Sequence, residues 1–295
     1  MSTSAASYRS VTIQAAGAAL AGRFYRATAA ASSEPILLCS ATGVTQGFYT
    51  AFAEWLAAKG YSVLTFDYRG IGESLSERHV KFSAARKQDW GQLDMPAALD
   101  CLLAETGASH AHLIGHSAGG QLFGLMPNHA KIRSVLAVAS STGYVGGLRA
   151  PTRWAARALL SLFIPISCAV LGYAPSKIIG WGEDLPRGVA LQWSRWCLRP
   201  GYVENDFGAA IKTHYYREVA APIVAIHAAD DPIATSANVA DLLRLFPRAT
   251  KRSQQIEPAE FGLQSIGHID IFRRRCAAAW PKLLPAGFGI PYPRT

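Results

Sequence analysis

The sequence predicts an α/β fold, with a mostly parallel central sheet, helices on both faces and one helical insertion. Three observations carry this. Short apolar runs of strand length alternate with stretches of helical spacing, the pattern of strands joined by crossover helices. That alternation lapses between about Gly143 and His214, a stretch rich in arginine and in tryptophan (Trp154, Trp181, Trp193, Trp196). Finally, the chain has 295 residues, half of them hydrophobic and 17% charged, which suits one large domain with a substantial core rather than a disordered chain. Residues 1–142 and 215–295 are therefore expected to form the core, and residues 143–214 a helical cap.

The chain opens with two alternating stretches, "YRSVTIQAA" (8–16) and "ALAGRFYRA" (19–27), which read as a hairpin. "ATAAASSE" (27–34) is a small-residue linker. "PILLCSATG" (35–43) reads as a buried strand entering a loop, and "GFYTAFAEWLAAKG" (47–60) as a helix stopping at Gly60. "YSVLTFDYRG" (61–70) is the next buried strand, followed by the glycine-rich turn "RGIGES". A helix over about Gln88 to Thr106 precedes the strand "SHAHLIGHS" (109–117), and "SVLAVASS" (134–141) and "PIVAIHAADD" (222–231) complete the series. Within the insertion, "ALLSLFIPISCAVLGYAPSKIIG" (158–180) is apolar enough to resemble a membrane span. Pro165, Pro175 and Lys177 interrupt it, so a lid or buried helical pair is the expectation.

Composition narrows the function classes. The net charge of +9 favours anionic partners, but the basic residues are scattered. The densest runs, "FRRRCAA" (272–278) and "RATKR" (248–252), have no aromatic interleaving, so nucleic-acid binding is not expected. Five cysteines (Cys39, Cys101, Cys168, Cys197, Cys276), odd in number and never in a C-x-x-C pair, argue against a disulfide framework and a structural zinc site. "MSTSAASYRS" has no apolar h-region, so a cytoplasmic location is the expectation. Neither a dinucleotide nor a Walker signature is present, and no cofactor or metal is expected.

The chemistry gathers at "AHLIGHSAGGQLFGL" (111–125). Gly115-His116-Ser117-Ala118-Gly119 fits G-x-S-x-G between a strand and a helix, where a strained turn lifts the serine above the sheet edge and excludes side chains two residues to either side. A serine needs a base, and the base an orienting acid. In such a sheet both lie downstream. Of His129, His214, His227 and His268, the last stands in "LQSIGHIDIF", after a glycine and before an apolar helical stretch, and is the best-placed base. His227 reads as a strand-end histidine, and His129 and His214 as surface residues. For the acid, Asp230 and Asp231 compete in "IHAADDPIAT". Pro232 biases Asp231 toward an extended conformation that projects its carboxylate, so Asp231 is favoured and Asp230 reads as a turn or solvated neighbour. In "DYRGIGES" (67–74), Asp67 and Arg69 read as ties between loops. Asp89 reads as a helix cap and Trp90 as packing.

With its element order and the stretches "GHSAGG", "DYRGIGES", "AADDPIA" and "IGH", the chain resembles the α/β-hydrolase superfamily, in particular bacterial hydrolases related to serine aminopeptidase S33 and monoacylglycerol lipase. The resemblance covers nearly everything outside the cap. It implies Ser117 as nucleophile, Asp231 as acid and His268 as base, with an oxyanion hole from the backbone N–H of Ala118 and one N–H of the loop after the third strand. Many members carry His-Gly in that loop. This chain has Ser40-Ala41-Thr42-Gly43, which places Thr42 at the donor position.

Such a site transfers acyl groups. The expected activity is cytosolic hydrolysis of a carboxylic ester with a small or medium apolar acyl group, the substrate being a small molecule. A thioesterase or acyltransferase would use the same three residues, and a non-catalytic ligand-binding protein on the same fold is a further alternative. Membrane contact is possible but not expected; a membrane-associated lipase, suggested by the apolar cap and the basic balance, is a third reading.

Overall fold

The computed structural model describes residues 7–28 and 34–287. Residues 29–33, most of the expected linker, lie outside the described residues, as do residues 1–6 and 288–295.

Strand β1 (Arg9–Ala15) and strand β2 (Ala18–Tyr25) form the hairpin, closed at Gly17 with φ of 75°. Strand β3 (Ile36–Cys39) is buried along its whole length, and helix α1 (Thr50–Ala58) follows it. Strand β4 (Val63–Phe66) leads through the glycine-rich turn to helices α2 (Lys87–Asp89) and α3 (Met95–Thr106), joined by a π turn over Trp90–Asp94. Strand β5 (Ala111–His116) enters a four-residue helix α4 (Ala118–Gln121), and strand β6 (Ile132–Val138) follows. The long segment after β6 contains helices α5 (Thr152–Ala158) and α6 (Ile164–Val170), strands β7 (Tyr173–Ala174) and β8 (Leu185–Pro186), and helix α7 (Arg187–Leu198). Strand β9 (Ile223–Ala228), helix α8 (Ser236–Arg244), strand β10 (Lys251–Ile256) and helix α9 (Trp280–Gly287) close the fold.

Eight strands form one sheet in the order β1-β2-β4-β3-β5-β6-β9-β10. Pairing is parallel from β4 to β10, and β2 joins β4 antiparallel. Two separate apolar layers cover its faces, one around Trp90, Leu99, Leu102 and Phe246, the other around Tyr49, Phe52, Phe272 and Trp280. Because β3 is central while chain order reverses beside it, a crevice opens past the carboxyl ends of β3 and β5, the usual binding place of such sheets. Cys39 lies opposite Gly115 in register, so the loop after β3 faces the turn after β5.

Four expectations need correction. The series of strands does not end at β9: "KRSQQI" forms β10, which sequence analysis took only for part of a basic run. Its polar side chains suit a sheet edge, where charged residues discourage further pairing. Pro165 does not interrupt its helix. The chain is helical from Thr152 to Val170, with a π turn over Leu159–Phe163 immediately before the proline, as another stands before Pro96. The wider turn opens the ladder where the ring would strike the carbonyl one turn back. Nor is this helix buried, since only 22% of its most apolar stretch is covered. After His268 the chain makes short 3-10 turns (Asp270–Phe272, Arg274–Ala279) and becomes α-helical only at Trp280.

Candidate active site

β5 ends at a residue in a conformation that L-amino acids rarely adopt. Ser117 has φ of 48° and ψ of −106°, a strain of about 1–3 kcal/mol that the surroundings must hold. Glycines are obligatory around it. A Cβ on Gly119 would lie 2.3 Å from the Cys39 carbonyl oxygen, and one on Gly115 would lie 2.3 Å from the Gly120 nitrogen. The third glycine, Gly120, packs with the same intimacy against Ser140. Strand and helix therefore approach closely enough to leave Ser117 no relaxed alternative.

The loops after β9 and β10 bring two residues to it. His268 Nε2 lies 3.1 Å from Ser117 Oγ, and His268 Nδ1 lies 2.8 Å from Asp231 Oδ2. Asp231 is buried, and its other oxygen accepts from the N–H groups of Ile233 (2.7 Å) and Ala234 (2.9 Å). Burial alone would raise this carboxyl. His268 and the two N–H groups outweigh it and hold Asp231 below the ordinary carboxylate range, so it is ionised at neutral pH. Asp230 faces elsewhere, accepting from the N–H of Ile266 (2.9 Å) and of Gly267 (3.0 Å). It tethers the histidine loop while staying exposed to solvent, as expected of a solvated neighbour.

A second tether was not visible in the sequence. His116 is wholly buried. Its Nε2 donates to the His268 carbonyl (2.9 Å), and its Nδ1 accepts from the Tyr49 hydroxyl (2.7 Å), which in turn accepts from the Ala41 N–H (2.9 Å). Burial, reinforced by the neighbouring His268, pushes the His116 imidazole down to about 3, so it stays neutral and this tautomer satisfies every partner. The bridge ties the loop after β3 to the loop carrying His268.

With the Ala41 N–H engaged, the N–H groups of Thr42 and Ala118 have, among the described residues, no protein acceptor. Thr42 also meets an unexpected neighbour. Lys87 is fully buried at the start of α2, its Nζ 2.6 Å from Thr42 Oγ1 and 4.8 Å from the Trp90 ring centre. Among the described residues it makes no salt bridge. The nearby Cys197 thiol is itself pushed up to about 12 by burial and is no counter-ion. Burial lowers the Lys87 ammonium to about 7.

Ser117, His268 and Thr42 line one cavity of about 520 Å³. Leu148, Leu159, Leu160, Ile164, Trp181 and Trp193 supply apolar walls from the β6–β9 segment, and Gln121, Glu183 and Arg273 add polar points. Glu183 N–H donates to the Gly43 carbonyl (2.7 Å), pinning that segment to the loop after β3.

Other candidates are engaged elsewhere. His227 bonds Ser236 Oγ (3.0 Å), His214 stacks on Phe207 and His129 lies beside Tyr215. Asp67 accepts from the N–H of Gln46 and Glu73, and Arg69 pairs with buried Asp94, tying loops together. Asp89 caps its helix through the Arg86 N–H, and Trp90 stacks on Tyr68. Among the described residues no three His, Cys, Asp or Glu side chains converge as metal ligands would.

Comparison with known proteins agrees with this arrangement of sheet and loops. Residues 36–273 match the alpha/beta hydrolase family. The chain belongs to that family. A named relative, the carbamate hydrolase RutD of Caulobacter vibrioides, is 33% identical over 90 residues, which is 30% of this chain and 30% of the relative. Among solved structures, a soluble variant of monoglyceride lipase from Saccharomyces cerevisiae aligns over 97% of this chain and 98% of its own, with a TM-score of 0.63 and 16% identity. An esterase from Pyrococcus furiosus aligns over 94% and 88%, with a TM-score of 0.58 and 16% identity. At such identities the alpha/beta hydrolase likeness is one of fold.

Proposed function

We propose that the protein is a serine hydrolase that cleaves a carboxylic ester with a small or medium apolar acyl group, through an acyl-enzyme on Ser117. One observation carries this: the unbroken chain Ser117–His268–Asp231 at 3.1 and 2.8 Å, with the serine strained into an apolar cavity. His268 takes the proton as Ser117 Oγ attacks the ester carbonyl. Ionised Asp231 holds the imidazole in the tautomer that accepts at Nε2 and stabilises the imidazolium. The oxyanion forms against the N–H of Ala118 and Thr42, with Lys87 behind Thr42 adding positive charge in a dry environment. His268 then protonates the departing alcohol, and water releases the acid by the same steps in reverse order.

The apolar walls contributed by 148–193 favour an acyl chain over a charged one. A p-nitrophenyl ester series from acetate to laurate, with Ser117→Ala as control, tests the reading. The expected outcome is kcat/KM rising from acetate to a medium chain and falling by about 10³–10⁶ in the variant. Unchanged turnover in Ser117→Ala contradicts it. The likeness to RutD makes an aryl carbamate the competing substrate, since the same attack applies to its carbonyl.

A further inference from the structure

The helix Thr152–Val170 carries two apolar rows on opposite sides. Ala156, Leu160, Ile164 and Cys168 form the inner row, buried against the body of the protein, and the first three line the cavity. Trp154, Leu162, Ile166 and Val170 recur at four- or eight-residue intervals on the outside and are 65%, 58%, 59% and 76% exposed. In an α-helix a row at i+4 drifts around the axis, and the wider π turn at Leu159–Phe163 takes up part of that drift. An ordinary surface helix carries polar residues on its outer side. Exposed Leu171 and Ile178 follow the outer row in sequence, and soluble monomers rarely present so much apolar surface without use.

The charges along this helix have one sign. No aspartate or glutamate occurs between Glu105 and Glu183. Arg149, Arg153 and Arg157 are exposed at the amino end of the helix and, among the described residues, form no ion pair. Trp154 stands among them, as aromatic and basic residues do at a headgroup boundary. Near the carboxyl end, Lys81 packs beside Gly172, and exposed Phe82 lies under Lys81 and Arg78 (5.0 and 4.6 Å). Glu183 and Asp184 are the acids closest in sequence, and both are turned to Lys177.

We propose that this outer face is a docking surface for a lipid bilayer with anionic headgroups. The row Trp154–Val170 enters the boundary between headgroups and acyl chains, and the arginines pair with the headgroups. The helix lies along the membrane rather than across it, because its inner row covers the cavity. The next strip of chain carries exposed Ile178 and supplies Ile179 and Trp181, both exposed, to the cavity lining, so the mouth of the pocket sits beside the docked surface. The sequence, with its apolar cap and basic balance, leaves membrane association as an alternative, and the exposed outer row gives it a surface. Docking does not depend on the reaction at Ser117, and its test reads binding without turnover.

The test is flotation with extruded vesicles of phosphatidylcholine containing 30 mol% phosphatidylglycerol, and of phosphatidylcholine alone. The full chain is expected to float with the anionic vesicles. Ile166→Glu/Val170→Glu, both outside the cavity lining, should lower partitioning by more than about a hundredfold. Arg149→Gln/Arg157→Gln should lower it on the order of 25-fold, about fivefold per cation. Melting temperature and hydrolysis of a soluble ester serve as controls that both variants fold. Wild-type protein staying with the unbound fraction overturns the proposal, as does flotation indifferent to either variant. A dimer by light scattering that Ile166→Glu/Val170→Glu converts to monomer also overturns it, because a second copy would then cover the face.

Discussion

Replacing Lys87 by methionine should make the protein more stable and less active. The ammonium is fully buried with one hydroxyl and an aromatic face for company, and its value falls from 10.5 to about 7. At about 1.4 kcal/mol per tenfold, that gap corresponds to about 5 kcal/mol by which burial opposes folding with the charge in place. The folded chain holds fewer protons than the unfolded chain between about pH 7 and 10.5, so wild-type stability rises with pH across that window. Below pH 7 the full cost is present. Methionine keeps most of the volume and removes the charge, at the expense of one hydrogen bond to Thr42. Even half of the cost recovered would raise Tm by about 4 °C at pH 6. The same charge adjoins the Thr42 hydroxyl (2.6 Å), and a cation about 6 Å from an oxyanion at an effective dielectric of about 20 stabilises it by about 3 kcal/mol. That corresponds to about a hundredfold in kcat. Differential scanning fluorimetry and ester hydrolysis at pH 6 and pH 9 measure both effects. Lys87→Met should lose most activity at pH 6 and much less at pH 9, where the wild-type lysine is already neutral. A variant that is destabilised yet fully active at pH 6 refutes the reasoning, because the lysine would then be a structural prop.

Asp230→Ala releases the Ile266 and Gly267 N–H groups and loosens the histidine loop, so kcat should fall by about 10–100-fold with KM within about twofold; steady-state kinetics decide it. Asp231→Asn should cost on the order of 10³–10⁴ in kcat by favouring the wrong imidazole tautomer. Since the folded chain holds Asp231 below the ordinary range, its contribution to stability is present above about pH 4 and lost as pH falls through its lowered value, and acid titrations of wild type and Asp231→Asn should differ there. Tyr49→Phe strands the Ala41 N–H and His116 Nδ1, both buried, and should cost about 2–4 kcal/mol by urea unfolding. Gly119→Ala drives a Cβ into the Cys39 carbonyl, which is backbone and cannot yield, and should unfold the protein or lower Tm by more than about 8 °C.

What the sequence shows of this molecule follows from where its physics is local. The glycines about Ser117 are legible because a close strand–helix approach has no other solution, Asp231 because a strand end announces the loop that holds it, and His268 from the glycine before it and the apolar stretch after it, though that stretch begins as 3-10 turns. Thr42 could be located by its distance from the following helix. Lys87 could not, since a lysine three residues before a tryptophan reads as a solvated helix start, and only the packing of α7 and the loop after β3 encloses it. His116 hides in a variable motif position, and its use depends on Tyr49, 67 residues away. β10 is polar because it is an edge, and so gives no apolar signal. The helix through Pro165 is apolar on both sides, and periodicity alone cannot say which side faces out.

The central claim is that Ser117 is an activated nucleophile, and covalent labelling tests it most directly. The protein is treated with a fluorophosphonate, and the adduct is located by intact-mass and peptide mass spectrometry, with Ser117→Ala and Asp231→Asn alongside. The account predicts one adduct, on the peptide containing Ser117, absent in Ser117→Ala and formed much more slowly in Asp231→Asn. A wild-type protein that stays unlabelled, or an adduct that persists in Ser117→Ala, contradicts it.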